Sequence, residues 1–388
     1  MAVEKLDTLE LAQALIRCPS VTPQEGGALD LLQTVLDGLG FTCHRLPFAE
    51  DDSPEVDNLY ARFGDKGPNF CYAGHTDVVP VGNAADWSFD PFGAEVRDGI
   101  LYGRGAVDMK GSIAAFISAV CSYLSEKSLQ GSISLLITGD EEGDAVNGTR
   151  KVLRWLDEQG EKLDCCLVGE PTSDRRLGDM VKIGRRGSLN ARLTVFGTQG
   201  HTAYPQLADN PLHHLARMLN TLVGDTLDDG NDHFPPSSLQ LTSIDVGNPV
   251  TNVIPAKATA LLNVRFNDIH SSATVEAWLR ERLERALDGG RGASYEMSMR
   301  VSGESFLCAP GPWSELVSAA VTAVVGSAPA LGTTGGTSDA RFIKDHCSVA
   351  ELGLLNATAH KVDEQVPLND LAGLTAIYRD ILERCLPR

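Results

Sequence analysis

The chain has 388 residues and is 43% hydrophobic, long enough for two domains of ordinary size, each with its own core. Its formal charge of -19 argues against a nucleic-acid partner and against an anionic membrane surface, because both select basic patches. No apolar run approaches the length that spans a bilayer, and the N-terminal MAVEKLDTLELAQALIRCPS carries acids on an amphipathic pattern, unlike a signal peptide.

In chain order, helices are expected near 7–17 and 26–38, then strands at FTCHRL, NLYARF and NFCYA. A helix at MKGSIAAFISAVCSYLSEK, the strand SISLLIT, the helix GTRKVLRWLDEQ and the strand DCCLVG follow. Continuous apolar strands suit a central, mostly parallel sheet covered on both faces, so this part reads as an α/β domain flanked by helices. From 184 the pattern changes to longer alternating strands, RGSLNARLTVFG and KATALLNVRF, with helices at NPLHHLARMLNTLV and SSATVEAWLRERLERAL, a smaller α+β unit. After 298 the first style returns with the helix PWSELVSAAVTAVV, the strand SVAELGLL and a helix from 370. The expected division is one domain made of 1–183 and 298–388, with an insertion at 184–297. Nine cysteines, odd in number, without a CxxC and mostly within apolar runs, read as buried free thiols of a reducing compartment, most simply the cytoplasm.

Four places hold polar residues that a structural role does not need: His75 and Asp77 in GHTDVVP, Asp108 in GRGAVDMKG, Glu141 and Glu142 in TGDEEG, and Glu170 in VGEPT. All but Asp108 directly follow an apolar strand, and the carboxyl ends of strands in an open α/β sheet face one crevice. Carboxylates converging there repel one another unless cations sit between them. Imidazole and carboxylate ligands suit zinc, and one carboxylate can bridge two ions. A second imidazole is then needed, for which His360 in NATAHK is the best-placed candidate and His346 a weaker one. Neighbouring side chains in an extended backbone point to different sides, so one of Glu141 and Glu142 is expected to bind metal and the other to move a proton. Asp77 is expected behind His75, its carboxylate accepting the ring's other N–H.

The motifs GHTDVVP, LYGRGAVDMKGS, DEEG and GEPT, in this order, resemble those of the dinuclear-zinc M20 metallopeptidases and deacylases, over essentially the whole chain. The resemblance implies two zinc ions per subunit, which cobalt can replace: Asp108 bridges them, His75 and Glu170 hold one, Glu142 and His360 the other. It implies Glu141 as general acid-base. It also implies a homodimer in which His201, in GTQGHTAYP, reaches the partner subunit's site and polarises the scissile carbonyl. Further motifs, GRRGS, TNVIPA and GGTSDARF among them, resemble the branch of the family that hydrolyses N-succinyl-LL-2,6-diaminopimelate to succinate and LL-2,6-diaminopimelate, a step towards lysine and cell-wall precursors. Substrate contacts implied are Arg185, Ser188, Tyr204, Asn252, Arg265, Thr337 and Asn356, with Arg186 beside them. Guanidinium groups match the carboxylates of such a small anionic substrate. Ala340 and Ala359 depart from the family's usual glycine and larger apolar residue, and neither is a ligand position.

Other readings compete. Asp108 taken alone is a favourable helix N-cap, and the arginine pair could be a surface salt-bridge element. A phosphate loop at GRGAVDMKGS fails for want of GxxxxGK[ST] or GxGxxG spacing. Another M20 deacylase, such as one acting on N-acetylornithine, is the rival within the class. A noncatalytic metal-dependent binding module is the rival outside it, and Glu141 speaks against it, since a binder has no use for a base beside the metal.

Overall fold

The structure, a computed structural model, describes residues 6–50, 52–287 and 293–386. It divides into two compact units: the first holds the chain up to Ile183, Cys308–Gly332 and the chain from Ser338, and the second holds Gly184–Leu307 with Thr333–Thr337.

The first unit is built on an eight-stranded sheet in the order Thr42–Arg45, Leu59–Phe63, Ser132–Thr138, Asn69–His75, Cys165–Val168, Ser348–Glu351, Met180–Lys182, Ala330–Gly332. The four central strands, from Ser132–Thr138 to Ser348–Glu351, run parallel, and the Leu59–Phe63 and Met180–Lys182 strands beside them run antiparallel. Every residue of Asn69–His75 and Ser132–Thr138 is buried, as strands covered on both faces must be. On one face Phe70 and Tyr72 meet aromatic rings from three helices: Tyr72 stacks on Phe116 of Lys110–Glu126 at 4.1 Å, Tyr378 of Leu368–Cys385 lies edge-on at 5.7 Å, and Trp313 of Pro312–Val325 is 5.6 Å from Phe70. The helix Thr8–Ile16 starts on Asp7, whose carboxylate accepts from the amides of Leu9 and Glu10.

The chain passes from the Asn69–His75 strand to the neighbour on one side, Ser132–Thr138, and then to the neighbour on the other, Cys165–Val168. Such a switch point leaves a crevice at the carboxyl ends. His75 ends its strand, while Glu141 and Glu142 lie just beyond Thr138 and Glu170 just beyond Val168.

The second unit is an antiparallel sheet in the order Ser238–Asp245, Lys257–Phe266, Gly187–Phe196, Ser294–Gly303. Alternate residues Leu189, Leu193, Leu262 and Val264 form its core with Leu215, Met218, Val275 and Leu279 of the helices Pro211–Gly224 and Ser272–Leu287. The boundary expected at 297 falls inside the strand Ser294–Gly303. That strand pairs with Gly187–Phe196 through nearly its whole length, so the unit runs on to Leu307 and also takes in Thr333–Thr337. None of the nine cysteines forms a disulfide; Cys71, Cys121 and Cys166 are buried and the other six are partly exposed, so the expected burial holds for three of them. Among the described residues no helix is long and apolar enough to cross a membrane.

Candidate metal centre

Two groups of side chains in the first unit converge with ligand atoms within 4.8 Å of one another: His75, Asp108 and Glu170, and Asp108, Glu142 and His360. Asp108 is common to both, and its two oxygens divide between them. Oδ1 lies 3.2 Å from His75 Nε2, and Oδ2 lies 3.2 Å from His360 Nε2. Glu170 Oε1 is 3.6 Å from His75 Nε2, and Glu142 Oε1 is 2.8 Å from His360 Nε2. Donors each about 2.1 Å from a tetrahedral ion stand about 3.4 Å apart, so these imidazole–carboxylate separations lie within about 0.6 Å of what an ion in each group requires.

The field here favours cations. Hydrogen bonds to Asp108 and Glu142 push His360 up to about 10, although half its side chain is exposed. Burial opposes a charge on His75, yet Asp108 and Glu170 outweigh it and hold that imidazole well above its usual range. Burial likewise opposes the charge on Asp108, and hydrogen bonds from His360 and His75 keep it well below the usual carboxylate range. Burial, and then the charge of Glu170, push Glu141 well above that range. A donor set of two imidazoles and three carboxylates in such a field fits divalent ions such as zinc.

Local packing aims these groups. Gly74 and Gly169 precede His75 and Glu170, and a Cβ on either would come within 2.6 Å of Met109 Cε. Their lack of a side chain lets Met109 lie across the strand ends and brings Asp108 between the two ligand groups. The N-cap of the helix Lys110–Glu126 is Met109, without a side-chain bond, so Asp108 is not spent as a cap.

Asp77 departs from expectation. His75 Nδ1 lies 2.9 Å from the Asp77 main-chain carbonyl, whereas the Asp77 carboxylate is 3.6 Å away. That carboxylate instead accepts from the amides of Glu141 at 3.3 Å and Glu142 at 3.0 Å. A fully buried acceptor tied to the strand after His75 therefore shapes the DEEG turn. His346 stands apart from both groups, with Nδ1 3.4 Å from Asp157.

His201 lies in the second unit, exposed, its Nδ1 accepting from the Ala203 amide at 3.0 Å, which leaves the proton of the neutral ring on Nε2. The second unit also holds Arg185, Ser188, Tyr204, Asn252, Arg265 and Thr337. Ser188 pairs directly opposite Arg265 across two strands, and Arg185 donates to the Gly336 carbonyl at 3.2 Å. Tyr204 and Asn252 are exposed. Burial, and then the charge of Arg186, make it harder for Arg265 to hold its charge, and neither arginine has a carboxylate partner among the described residues. Asn356 is exposed in the first unit, at the start of the short helical turn Asn356–Thr358. Sequence reasoning missed Arg104 and Glu364, buried beside the centre; the acid four residues after His360 in HKVDE was the available signal.

The pattern of the peptidase family M20/M25/M40 matches residues 71–384, which take in all five candidate ligands. The chain belongs to that family. It is 62% identical over 379 residues to a protein of Rhodospirillum centenum called succinyl-diaminopimelate desuccinylase, covering 97% of each chain. A protein of the same name from Rhodospirillum rubrum is 57% identical, again over 97% of each chain. Among solved structures, an M20 family metallo-carboxypeptidase from Sulfolobus solfataricus shares the fold with a TM-score of 0.79 at 17% identity, over 97% of this chain and 98% of that one. A Bacillus subtilis protein described as a dinuclear metal binding peptidase of the M20 family has a TM-score of 0.69 at 15% identity, over 97% and 96%.

Proposed function

We propose that this chain hydrolyses N-succinyl-LL-2,6-diaminopimelate to succinate and LL-2,6-diaminopimelate, as a homodimeric, two-zinc amide hydrolase of the cytoplasm. In that role it supplies lysine and cell-wall precursor synthesis. The observation that carries the metal chemistry is the division of the Asp108 oxygens between His75 and His360. The substrate follows from the near-full-length relatives of that name.

Bound zinc, or cobalt in its place, supplies a Lewis acid for the amide carbonyl and favours ionisation of water. His75 and Glu170 would hold one ion, Glu142 and His360 the other, with Asp108 between. Glu141 takes the proton of the attacking water and delivers it to the leaving nitrogen as the C–N bond breaks; a carboxyl with a raised affinity for protons suits both halves of that transfer. Asp77 holds the turn that presents Glu141. His201, contributed to the partner's site, donates from Nε2 to the carbonyl oxygen, where negative charge develops. Arg185, Arg265, Ser188 and Thr337 receive substrate carboxylates, with Tyr204, Asn252 and Asn356 as further contacts. Arg186 and Arg265 repel each other without a carboxylate partner among the described residues, and an anion placed between them lowers that energy.

The test compares metal-stripped protein with and without zinc, as wild type and as Glu141→Ala, on N-succinyl-LL-diaminopimelate and on N-acetylornithine. Zinc-restored hydrolysis of the succinyl substrate, lowered in the variant by at least about 100-fold, is expected. Zinc-loaded wild type that cleaves only the acetyl substrate refutes the substrate assignment, and full activity in Glu141→Ala refutes the base.

A further inference from the structure

Glu364 is completely buried, and each of its oxygens is engaged. Oε1 accepts from the amides of Val107 at 2.9 Å and Asp108 at 3.1 Å, and Oε2 accepts from Arg104 Nη1 at 2.7 Å. Its main-chain carbonyl accepts from Gly103 at 2.9 Å, so the turn 103–108 is clasped at both ends by one residue. Arg104 is 2% exposed and lies over the Trp87 ring at 5.2 Å. Its fork also reaches the carbonyls of Lys361 at 3.3 Å and of His360 and Pro80 at 3.4 Å. His360 itself has φ +63, a left-handed backbone that a non-glycine residue keeps only where its surroundings hold it.

These contacts close a ring. Asp108 Oδ2 faces His360 Nε2; the chain runs from His360 to Glu364; and Glu364 returns to the Asp108 amide. Displacing any member changes the spacing of Asp108 and His360. The other ligand group shares Asp108, but its own members His75 and Glu170 stand at the ends of central strands rather than on the turn that Glu364 clasps. The charges balance within the pair, so removing one leaves the other buried without compensation.

We propose that Glu364 and Arg104 are positioning residues that set the distance between Asp108 and His360 and thereby the affinity of the Glu142/His360 metal position, more than that of the His75/Glu170 position, with which it shares Asp108. The inference rests on the reading of these side chains as metal ligands and deepens it. Glu364→Gln keeps an oxygen for the Val107 and Asp108 amides but turns an NH2 donor against the Arg104 donors. Arg104→Lys keeps the buried charge, and therefore the fold, but one ammonium cannot span Glu364 and the carbonyls of His360 and Lys361.

The experiment titrates zinc into each metal-free full-length protein by calorimetry, with the absorption spectrum of added cobalt as a second readout of coordination. In both variants the tighter or weaker event assigned to Glu142/His360, identified by its loss in His360→Ala, should weaken by about 10–100-fold. The other event, two of whose three ligands stand on strand ends, should weaken by clearly less, and the cobalt spectrum should change most for the affected equivalent. Unchanged zinc affinities with only a lowered melting temperature would assign the pair a purely structural role and overturn the proposal. Equal weakening of both events overturns its selectivity, and an insoluble Glu364→Gln leaves Arg104→Lys to decide. Zinc binding is read without substrate, so a wrong substrate assignment leaves this result standing, whereas absence of zinc binding by wild type refutes the ligand set itself.

Discussion

Asp77→Asn separates two ways in which a buried carboxylate can serve this site. The wild-type carboxylate accepts from the Glu141 amide at 3.3 Å and the Glu142 amide at 3.0 Å, while the His75 ring meets the main-chain carbonyl of residue 77, which the substitution leaves in place. Asparagine has one oxygen, which keeps the shorter bond to Glu142, and its NH2 then opposes the Glu141 amide donor. Losing one hydrogen bond to a charged group costs about 1.5–3 kcal/mol. Should that cost fall on the placement of the Glu141 turn, kcat drops by about 10- to 150-fold. Zinc content stays at its wild-type value, because His75 keeps its acceptor. Initial rates at saturating substrate, beside metal content by atomic emission, measure both. A variant that has lost one zinc per chain, and recovers wild-type kcat in excess zinc, would show that Asp77 acts through His75 after all and would refute this account.

Two further outcomes are expected. Phe116→Ala removes a ring that stacks on Tyr72 at 4.1 Å and lies 5.8 Å from Phe70, all without solvent exposure, and should cost about 3–5 kcal/mol of stability in chemical denaturation. A loss under about 1 kcal/mol would contradict the packing described. Asp228 accepts from the amides of Gly230 and Ser237 and from Asn267, with His270 facing it at 3.1 Å. Burial opposes its charge, but the hydrogen bonds from Ser237, Gly230 and Asn267 outweigh burial and depress its pKa. A depressed folded pKa stabilises the protein above the unfolded value of about 3.9 and loses that stabilisation as pH falls through the folded value. The stability difference between wild type and Asp228→Asn should therefore be greatest near neutrality and shrink below about pH 4; a difference that grows on acidification contradicts it.

Much of the centre was legible from residue type and position. His75, Glu142 and Glu170 follow apolar runs that had to be buried strands, and strand ends in a parallel sheet share one crevice. His360 was reached by asking for a second imidazole, and the structure brings it to Asp108 and Glu142. Other features had no local signal. The strand Ser294–Gly303 is half-exposed along most of its length, so its membership of the second unit rests on pairing with a strand about a hundred residues earlier. The Asp77 carboxylate could be assigned to its own neighbour His75 by proximity in sequence, but backbone direction turns it towards amides at 141 and 142.

By itself the sequence determined the kinds of candidate ligand, the order in which the chain delivers them and the sign of the charge they carry, because hydrophobic period and charge are properties of short stretches. Tertiary structure alone decided which oxygen of Asp108 faces which histidine, and that Glu364 and Arg104 brace the turn between them. Apart from Asp108 and His75, those relations join residues more than 250 positions apart in the chain, as Arg104 and Glu364 are. Such contacts are set by how sheet and helices pack, to within a few tenths of an ångström, and no local pattern of residues encodes a distance.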